Sequence, residues 1–338
     1  MKTSAQKALF ALVESFFLNY LPRQRGASPH TTRAYRDTLK LLFQFVAQRR
    51  GKEMVGLLLE DLDGDTIACF LDHLERDRAN STATRNYRRA ALRSFFKHLL
   101  RNDLDNALRY TRVLALPAKR AQQKPVVYLE AIDVRAIIGK PDRRTNEGCR
   151  DHTLLLFLYN SAARVSEATG MLWRDLQLTP PCEVRLRGKG RKERIVPIWR
   201  ETTEALRRLR KLSDAADHEH VFLNRHNQPL TRDGVAYILE KYVGSASCER
   251  PTLGRVRITP HVFRHSAAVA LLQSGTDVTV IRDYLGHSSI VTTNRYISTN
   301  LKMRRDAIET FWQHAGIETI KDKPWKPKQD LLSFLQSL

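Results

Sequence analysis

The stretch TPHVFRH, residues 259–265, is followed by LGHS at residues 285–288 and by a tyrosine at position 296. Its leading threonine and proline are typical of a helix start, which predicts a helix with His261 and Arg264 on one face. A guanidinium can bind phosphate through paired hydrogen bonds, imidazoles can transfer protons, and a phenol can attack phosphorus. The spacing therefore predicts a phosphate-transfer site in this half of the chain.

Two motifs upstream add further cations. The motif ARVSE supplies Arg164 and Glu167, and the motif GKG supplies Lys189. Taken alone, these residues are typical of an ordinary ion pair and of a solvated turn. Beside the histidines, Glu167 can hold Arg164 in a fixed orientation for phosphate, and Lys189 can reach a leaving oxygen, with Lys192 as an alternative lysine. Together the motifs predict metal-free cleavage and rejoining of a nucleic-acid backbone.

The charge of the chain indicates a polyanionic partner. The sequence has 57 Lys and Arg residues against 36 Asp and Glu residues, a formal net charge of +21 at pH 7. The basic residues recur along the chain, which favours salt-sensitive binding to DNA or RNA over a single disordered basic tail. Ribosomal proteins and polymerase accessory proteins share such a charge, so it fixes only the class of partner.

Cysteine usage and hydropathy argue against several other classes of protein. The longest apolar runs are too short to span a bilayer, and the first residues lack the apolar core of a secretory signal. The cysteines are far apart without CxxC pairing, which predicts neither a zinc site nor a disulfide framework and favours the cytoplasm. These cysteines are Cys69, Cys149, Cys182 and Cys248.

The length of 338 residues predicts two domains. The helical spacing of apolar residues fails in LPAKRAQQKP, a polar and basic stretch flanked by prolines, which is typical of a linker. The predicted limits are a helical domain at residues 1–115, a linker at 116–125, a second domain at 126–312 and a C-terminal tail at 313–338. The tail ends in a short apolar stretch after a segment broken by prolines.

The sequence predicts mainly α-helix in both halves of the chain. In the first half, helices are expected from Ser28, around Ile67–Leu74, and from Ser81 through Leu99. In the second half, alternating residues at 183–187 and 193–197 flank a Gly-rich basic tip, which predicts a β-hairpin. The predicted fold class is therefore mainly α with a small β-sheet.

On the helix expected from Ser81 through Leu99, one face carries charged residues that are almost all positive. A charged helix face is usually only solvated, but this one favours contact with DNA phosphates, as does the charge of the linker. The residues proposed for DNA contact are Arg85, Arg88, Arg89, Arg93 and Lys97 on the helix and Lys119 and Arg120 in the linker.

These motifs, in this order, resemble those of the tyrosine recombinase (phage integrase-like and Xer-like) family of site-specific recombinases. The resemblance covers nearly the whole chain, and it is specific because all six expected residue types are present in order. The stretch SAA at residues 161–163 departs from the more usual Thr-Gly-Leu. The matching catalytic positions are Arg164, Lys189, His261, Arg264, His287 and Tyr296, with Glu167 in support.

The resemblance implies a helical SAM-like core-binding domain followed by an α+β catalytic domain. It implies attack by Tyr296 on a DNA phosphate, a 3′-phosphotyrosyl intermediate, and integration, excision or resolution of DNA such as a mobile element. No cofactor, metal or small-molecule substrate is implied. The expected partners are double-stranded DNA with specific core sites and either copies of this chain in a tetrameric synapse or a related recombinase. The tail either packs on its own subunit or, as the resemblance implies, docks into a neighbouring protomer.

Two other functions are open on the residues alone. A type IB topoisomerase uses similar chemistry but rejoins the same strand. A DNA-binding regulator derived from a recombinase would need only the charge and the fold, and the complete catalytic set argues against it.

Overall fold

The computed structural model of the chain describes residues 4–121, 126–188 and 193–287 together with Thr293, with side chains from residue 8 onward. Contacts divide the chain into two units, Met1–Lys124 and Pro125–Leu338. The division lies near the end of the proposed linker, whose residues 122–125 lie outside the described ranges. The domain limits proposed from the sequence stay a prediction, and each unit is described by itself.

The described part of the first unit is helical, and polar caps begin its longer helices. The side chains of Ser28, Asp63 and Ser81 accept hydrogen bonds from backbone N–H groups in the first turns of the helices that follow them. Gly51, in a left-handed conformation with φ 61°, ends the first of these three. The elements are α1 (Ser4–Ser15), a π-helical segment (Phe16–Gln24), α2 (Pro29–Arg50), α3 (Gly64–Arg76), α4 (Thr82–Asn102) and α5 (Ala107–Ala115).

One hydrophobic core holds these helices together. Phe16, Leu42, Phe70, Phe95 and Phe96 are all completely buried in it. Full burial of each such side chain contributes about 1.5–3 kcal/mol. The apolar positions that repeat at helical spacing in the sequence are the ones that pack here, so the helical prediction for this unit is confirmed.

The second unit surrounds a small sheet with helices, which confirms the predicted fold class of mainly α structure with a little β. Every helix in the described ranges is too short or too polar to span a bilayer. The helices are α6 (Ala131–Ile138), α7 (Asn146–Ser161), α8 (Val165–Thr169), α9 (Arg200–Ser213), α10 (Arg232–Ser247), α11 (Pro260–Gln273) and α12 (Val278–Leu285); the strands are β1 (Leu176–Gln177), β2 (Glu183–Arg187) and β3 (Glu193–Pro197).

The sheet has the order β1-β2-β3 and is antiparallel throughout. In β2 and β3 the register pairs Val184 with Val196 and Leu186 with Arg194. Directly opposed residues share a face of a sheet. The buried face thus carries Val184, Leu186 and Val196, and an arginine shares it.

Helix α7 begins at Asn146, well before its apolar run at Leu154–Leu155. The Thr145 hydroxyl accepts a hydrogen bond from the Gly148 amide at 3.0 Å, and this cap opens the helix on a polar first turn. The helix ends at Ala162, whose φ of 46° is left-handed although the residue is not glycine. This turn sets the direction in which the chain enters α8.

A second, smaller core fixes α12 against α11. Ala162, Ala268, Leu272, Ile281 and Leu285 pack together in it, all of them buried. Helix α12 is only eight residues long, so this packing rather than intrinsic helix propensity stabilises it. Gly286 and His287, which follow its end, are thereby held beside the end of α7.

Gly148 provides a test of the turn that begins α7. A Cβ atom at Gly148 would lie 2.1 Å from the Asp142 carbonyl oxygen, whereas one at Gly244 in α10 would meet nothing within 4 Å. Glycine to alanine inside a helix normally stabilises by up to about 1 kcal/mol. We expect Gly244→Ala to do so and Gly148→Ala to destabilise by about 1–3 kcal/mol through overpacking. Denaturant midpoints of the two variants measure this, and equal shifts would contradict the described turn.

Candidate active site

Arg164 stands at the start of α8, two residues after the left-handed Ala162. Its backbone N–H and its Nη1 donate to the two carboxylate oxygens of Glu167, at 2.8 and 2.7 Å. Its Nη2 donates to the carbonyl oxygen of Gly286 at 3.0 Å. The side chain remains 32% exposed, so the guanidinium is oriented and still accessible to a ligand.

Glu167 is almost completely buried, with 1% of its side chain exposed. Burial alone would raise the pKa of its carboxyl, but hydrogen bonds from the Arg194 side chain and the Arg164 backbone outweigh burial and lower that pKa. The carboxylate is therefore charged at neutral pH. The supporting role proposed for Glu167 from the sequence stays a prediction.

Arg264 reaches the same place from α11. It is 4% exposed, and its Nη1 and Nη2 donate to the carbonyl oxygens of Ala162 and Leu285. The Arg264 side chain thereby joins the end of α7 to the end of α12. A buried guanidinium needs such acceptors because an unpaired buried charge is strongly destabilising.

Sequence reasoning missed a third arginine at this site. Arg194 in β3 donates from Nη1 and Nη2 to the two oxygens of Glu167, each at 2.9 Å, and from Nε to the carbonyl oxygen of Tyr284 at 2.9 Å. The residue lies on the same face of β3 as the buried Val196. An arginine at an inward position of an alternating strand requires a buried acceptor, and that pattern was the available signal.

Three consecutive carbonyl groups at the end of α12 thus each accept a hydrogen bond from a different arginine. The last carbonyl groups of a helix lack partners within the helix and carry its negative partial charge, which favours cations there. Gly286 ends the helix in a left-handed conformation with φ 62°. The pairs are Tyr284 with Arg194, Leu285 with Arg264 and Gly286 with Arg164.

Two of the predicted histidines lie within the electrostatic influence of these arginines. Burial, followed by the charges of Arg264 and Arg164, lowers the pKa of His261. The same causes lower the pKa of His287 to about 4. The Nδ1 atom of His287 is 3.0 Å from the hydroxyl oxygen of Thr293, which is itself buried. Both imidazoles are neutral at pH 7.

The site therefore joins four of the six predicted catalytic residues: Arg164, Arg264, His261 and His287. The other two, Lys189 and Tyr296, lie outside the described residues, as do Lys192 and the predicted tail at 313–338. Both strands of the hairpin that would carry Lys189 are described, and they match the predicted hairpin at 183–187 and 193–197. Within the described ranges, no group of three or more His, Cys, Asp or Glu side chains is arranged to hold a metal ion.

Several of the arginines proposed for DNA contact bind acceptors inside their own domain. On α4, Arg89 and Arg93 donate to the carbonyl oxygens of Leu116 and Leu114. These contacts fix the chain after α5 to the face of α4. The two guanidiniums thus have a structural role beside any contact with phosphate.

The remaining basic residues differ in exposure. Arg85 is 7% exposed, and its Nε lies 3.5 Å from a carboxylate oxygen of Glu75. Lys119 pairs with Glu75 as well, and Arg88 is partly buried. Among the residues proposed for DNA contact, Lys97 and Arg120 are exposed and take no part in the ion pairs described above.

Family comparisons agree with this geometry. Residues 128–303 match the phage integrase family, and residues 15–103 match the N-terminal SAM-like domain of phage integrases. The putative integrase/recombinase y4rC of Sinorhizobium fredii is 38% identical over 331 residues, 98% of this chain and 98% of that protein. The tyrosine recombinase XerD of Halalkalibacterium halodurans is 33% identical over 305 residues, 88% of this chain and 97% of that protein.

A solved structure shows the same fold. The crystal structure of the XerH site-specific recombinase, bound to a palindromic difH substrate, matches with a TM-score of 0.66 at 20% identity. The match covers 92% of this chain and 90% of that one. Matches along nearly the whole length, in both domains, identify this chain as a member of the phage integrase family of tyrosine recombinases.

Proposed function

We propose that this chain is a site-specific DNA recombinase that cleaves and rejoins DNA strands through a bond between a DNA phosphate and Tyr296. The observation that carries the proposal is the convergence of Arg164 and Arg264 on the adjacent carbonyls of Gly286 and Leu285. Two guanidiniums from distant parts of the chain are thereby held side by side. Membership of the tyrosine recombinase family supports the reaction, and the role of each residue is part of the proposal.

Arg164 and Arg264 would bind the non-bridging oxygens of the scissile phosphate. A guanidinium has five N–H donors, and the side chain of Arg164 uses two of them in the contacts described above. Their partners at the helix end are neutral carbonyls, which orient a cation without cancelling its charge. Cations fixed in advance stabilise the negative charge that develops on phosphorus oxygens in the transition state.

Tyr296 would attack phosphorus, and His261 would accept its phenolic proton. A free phenol has a pKa of about 10, so attack at neutral pH needs a base. The lowered pKa of His261 supports this role because only a neutral imidazole can accept a proton. His287, also neutral, would donate a hydrogen bond to the phosphate from Nε2 when its Nδ1 accepts from the Thr293 hydroxyl.

Cleavage would form the bond between the tyrosine oxygen and phosphorus and break the bond to the 5′-oxygen. Lys189 would give a proton to that oxygen, leaving a 5′-hydroxyl and a 3′-phosphotyrosyl ester. A 5′-hydroxyl of a partner strand then attacks the ester, and Tyr296 recovers its proton. The ester conserves the energy of the broken bond, so the exchange needs no ATP.

Double-stranded DNA is the proposed substrate, with specific core sites, and the cytoplasm is the proposed compartment. The XerH structure and a lambda integrase structure, the latter a dimer on a core site, are both DNA complexes. We propose that copies of this chain, or this chain and a related recombinase, assemble in fours for strand exchange. The relatives are named as recombinases and integrases, which disfavours simple relaxation by a topoisomerase.

Tyr296→Phe tests the nucleophile. We expect the wild-type protein, in EDTA, to form a covalent adduct on nicked suicide duplexes tiled across the DNA flanking its own gene, because the nick lets the cleaved strand leave. Tyr296→Phe removes the attacking oxygen and should abolish the adduct on a denaturing gel. Tyr237→Phe, at a tyrosine that is 69% exposed, is the matched control and should keep it. An adduct from Tyr296→Phe would refute the assignment.

Salt dependence tests the proposed DNA surface. Each phosphate contact adds about 0.9 to the slope of log affinity against log salt concentration. We expect Lys97→Ala with Arg120→Ala to reduce that slope by about 2, measured by fluorescence anisotropy. Arg200→Ala, which removes an 88% exposed arginine beside Glu204, should leave the slope unchanged. An unchanged slope in the double variant would remove these residues from the DNA surface.

The pKa of His287 predicts a pH dependence of stability. Unfolded, the imidazole has an ordinary pKa of 6.5, and folded its pKa is about 4. Between these values the unfolded state binds the extra proton, so stability is full above pH 6.5 and falls as the pH is lowered. We expect the Tm of His287→Gln to fall less than that of the wild type between pH 7.5 and about 5.

The control for this measurement is His218→Gln, at an exposed position. Its Tm should follow the wild-type pH dependence, because the substitution lies on the surface and leaves His287 in place. Parallel curves for His287→Gln and the wild type would show that His287 does not bind fewer protons when folded.

A further inference from the structure

Arg194 occupies an unusual position for a charged residue. It lies opposite Leu186 in the sheet and shares the inner face with Val196, and only 11% of its side chain is exposed. Taking a guanidinium out of water is costly unless its donors are paired. Three of its N–H groups are paired, and all the acceptors belong to segments that shape the active site.

The pairing is geometrically specific. Nη1 and Nη2 bind the two oxygens of Glu167 at 2.9 Å each, the fork arrangement that a carboxylate and a guanidinium prefer. Nε binds the carbonyl oxygen of Tyr284 at 2.9 Å. A Cβ atom on Gly286 would lie 3.1 Å from Nη1 of Arg194, so the chain after α12 runs directly against this side chain.

Glu167 is consequently shared between two cations. Its carboxylate faces the Arg194 fork and also accepts from Nη1 of Arg164 at 2.7 Å. One negative charge among two positive charges leaves one positive charge in excess. Without Arg194, Arg164 would be the one cation left in these contacts with Glu167. The negative charge of Glu167 would then cancel the positive charge of Arg164, which is required for binding phosphate.

We infer that Arg194 is a positioning residue for the cleavage reaction, one that engages Glu167 so that Glu167 orients Arg164 without neutralising it. The same side chain links strand β3 to the carbonyl of Tyr284 in α12, and Tyr284 lies three residues before His287. The inference rests on the proposed function. Arg194 is assigned no contact with DNA, and it acts through Glu167 and the Tyr284 carbonyl.

The alternative role of Arg194 is an ordinary buried ion pair that only stabilises the fold. The two roles differ in the response to a second substitution. If Glu167 neutralises Arg164 once Arg194 is gone, then removing the charge of Glu167 should restore activity to the Arg194 variant. A purely structural pair gives no such restoration, because the second substitution removes further hydrogen bonds.

The experiment measures the rate of covalent adduct formation on the nicked suicide duplex for Arg194→Met, Glu167→Gln and the double variant. We expect Arg194→Met to slow the rate by about 10- to 100-fold, with the Kd for the duplex changed by less than about threefold. In that background, Glu167→Gln should raise the rate at least fivefold. Arg194→Lys keeps the charge without the fork and should lie between Arg194→Met and the wild type.

The matched control is Arg150→Met. Arg150 is 13% exposed, and its Nε and Nη2 bind the fully buried carboxylate of Asp151 at 2.9 and 2.6 Å. It lies at the opposite end of α7, about 17 Å along the helix from Ser161. Its loss should lower the Tm comparably and leave the rate per folded molecule within twofold of the wild type.

Each outcome decides between the roles. A double variant no faster than Arg194→Met, or an Arg194→Met rate equal to that of Arg150→Met, would overturn the inference and leave the proposed function intact. A wild-type protein without an adduct that depends on Tyr296 would overturn both. All rates are normalised to the folded fraction, measured by circular dichroism at the assay temperature.

Discussion

The active site depends on one interaction, the binding of three guanidiniums by three successive carbonyl groups at the end of α12. The carbonyls of residues 284–286 lie at a helix C-terminus, where carbonyl groups have no partner within the helix. The arginines arrive from β3, from α11 and from the start of α8, which are segments far apart in the sequence. The three arginines therefore hold the end of the short helix α12 in place, and the carbonyls at that end in turn orient the arginines. Disturbing any one of the three contacts would displace the others, because they share one turn of backbone.

Charge explains why carbonyls are suitable partners. A site for a phosphate diester must keep positive charge, yet it must also hold arginine side chains rigidly, which lowers the entropy lost on binding. Carboxylates would hold them and cancel the charge. Carbonyl dipoles hold them and leave the charge. In the described contacts of Arg164, Arg194 and Arg264, Glu167 is the one carboxylate. Burial, and after it the same uncompensated charge, lowers the pKa of the neighbouring histidines and keeps them neutral, so they can accept protons.

Local sequence signals predicted much of this architecture. Ser28, Ser81 and the Thr259-Pro260 pair start helices where the capping pattern placed them, and the alternation at 183–187 and 193–197 gives the hairpin. Helices α1, α5, α6, α8 and α10 were not predicted; Asn106 and Glu130, which precede α5 and α6, form no side-chain cap. At the site, motif spacing found four residues that the structure brings together. Arg194 was missed because its role comes from a partner 27 residues away in the chain, which no local pattern reveals.

The left-handed turn at Ala162 has a consequence for how this chain differs from its relatives. The family more usually has glycine at this position, where a φ of 46° requires no strain. Alanine in that conformation is destabilising by about 1–2 kcal/mol. In return, its methyl group packs fully buried in the small core with α11 and α12, and an alanine has fewer conformations than glycine in the unfolded chain. Alanine therefore makes the junction between α7 and α8, which positions Arg164, more rigid and more strained than glycine would.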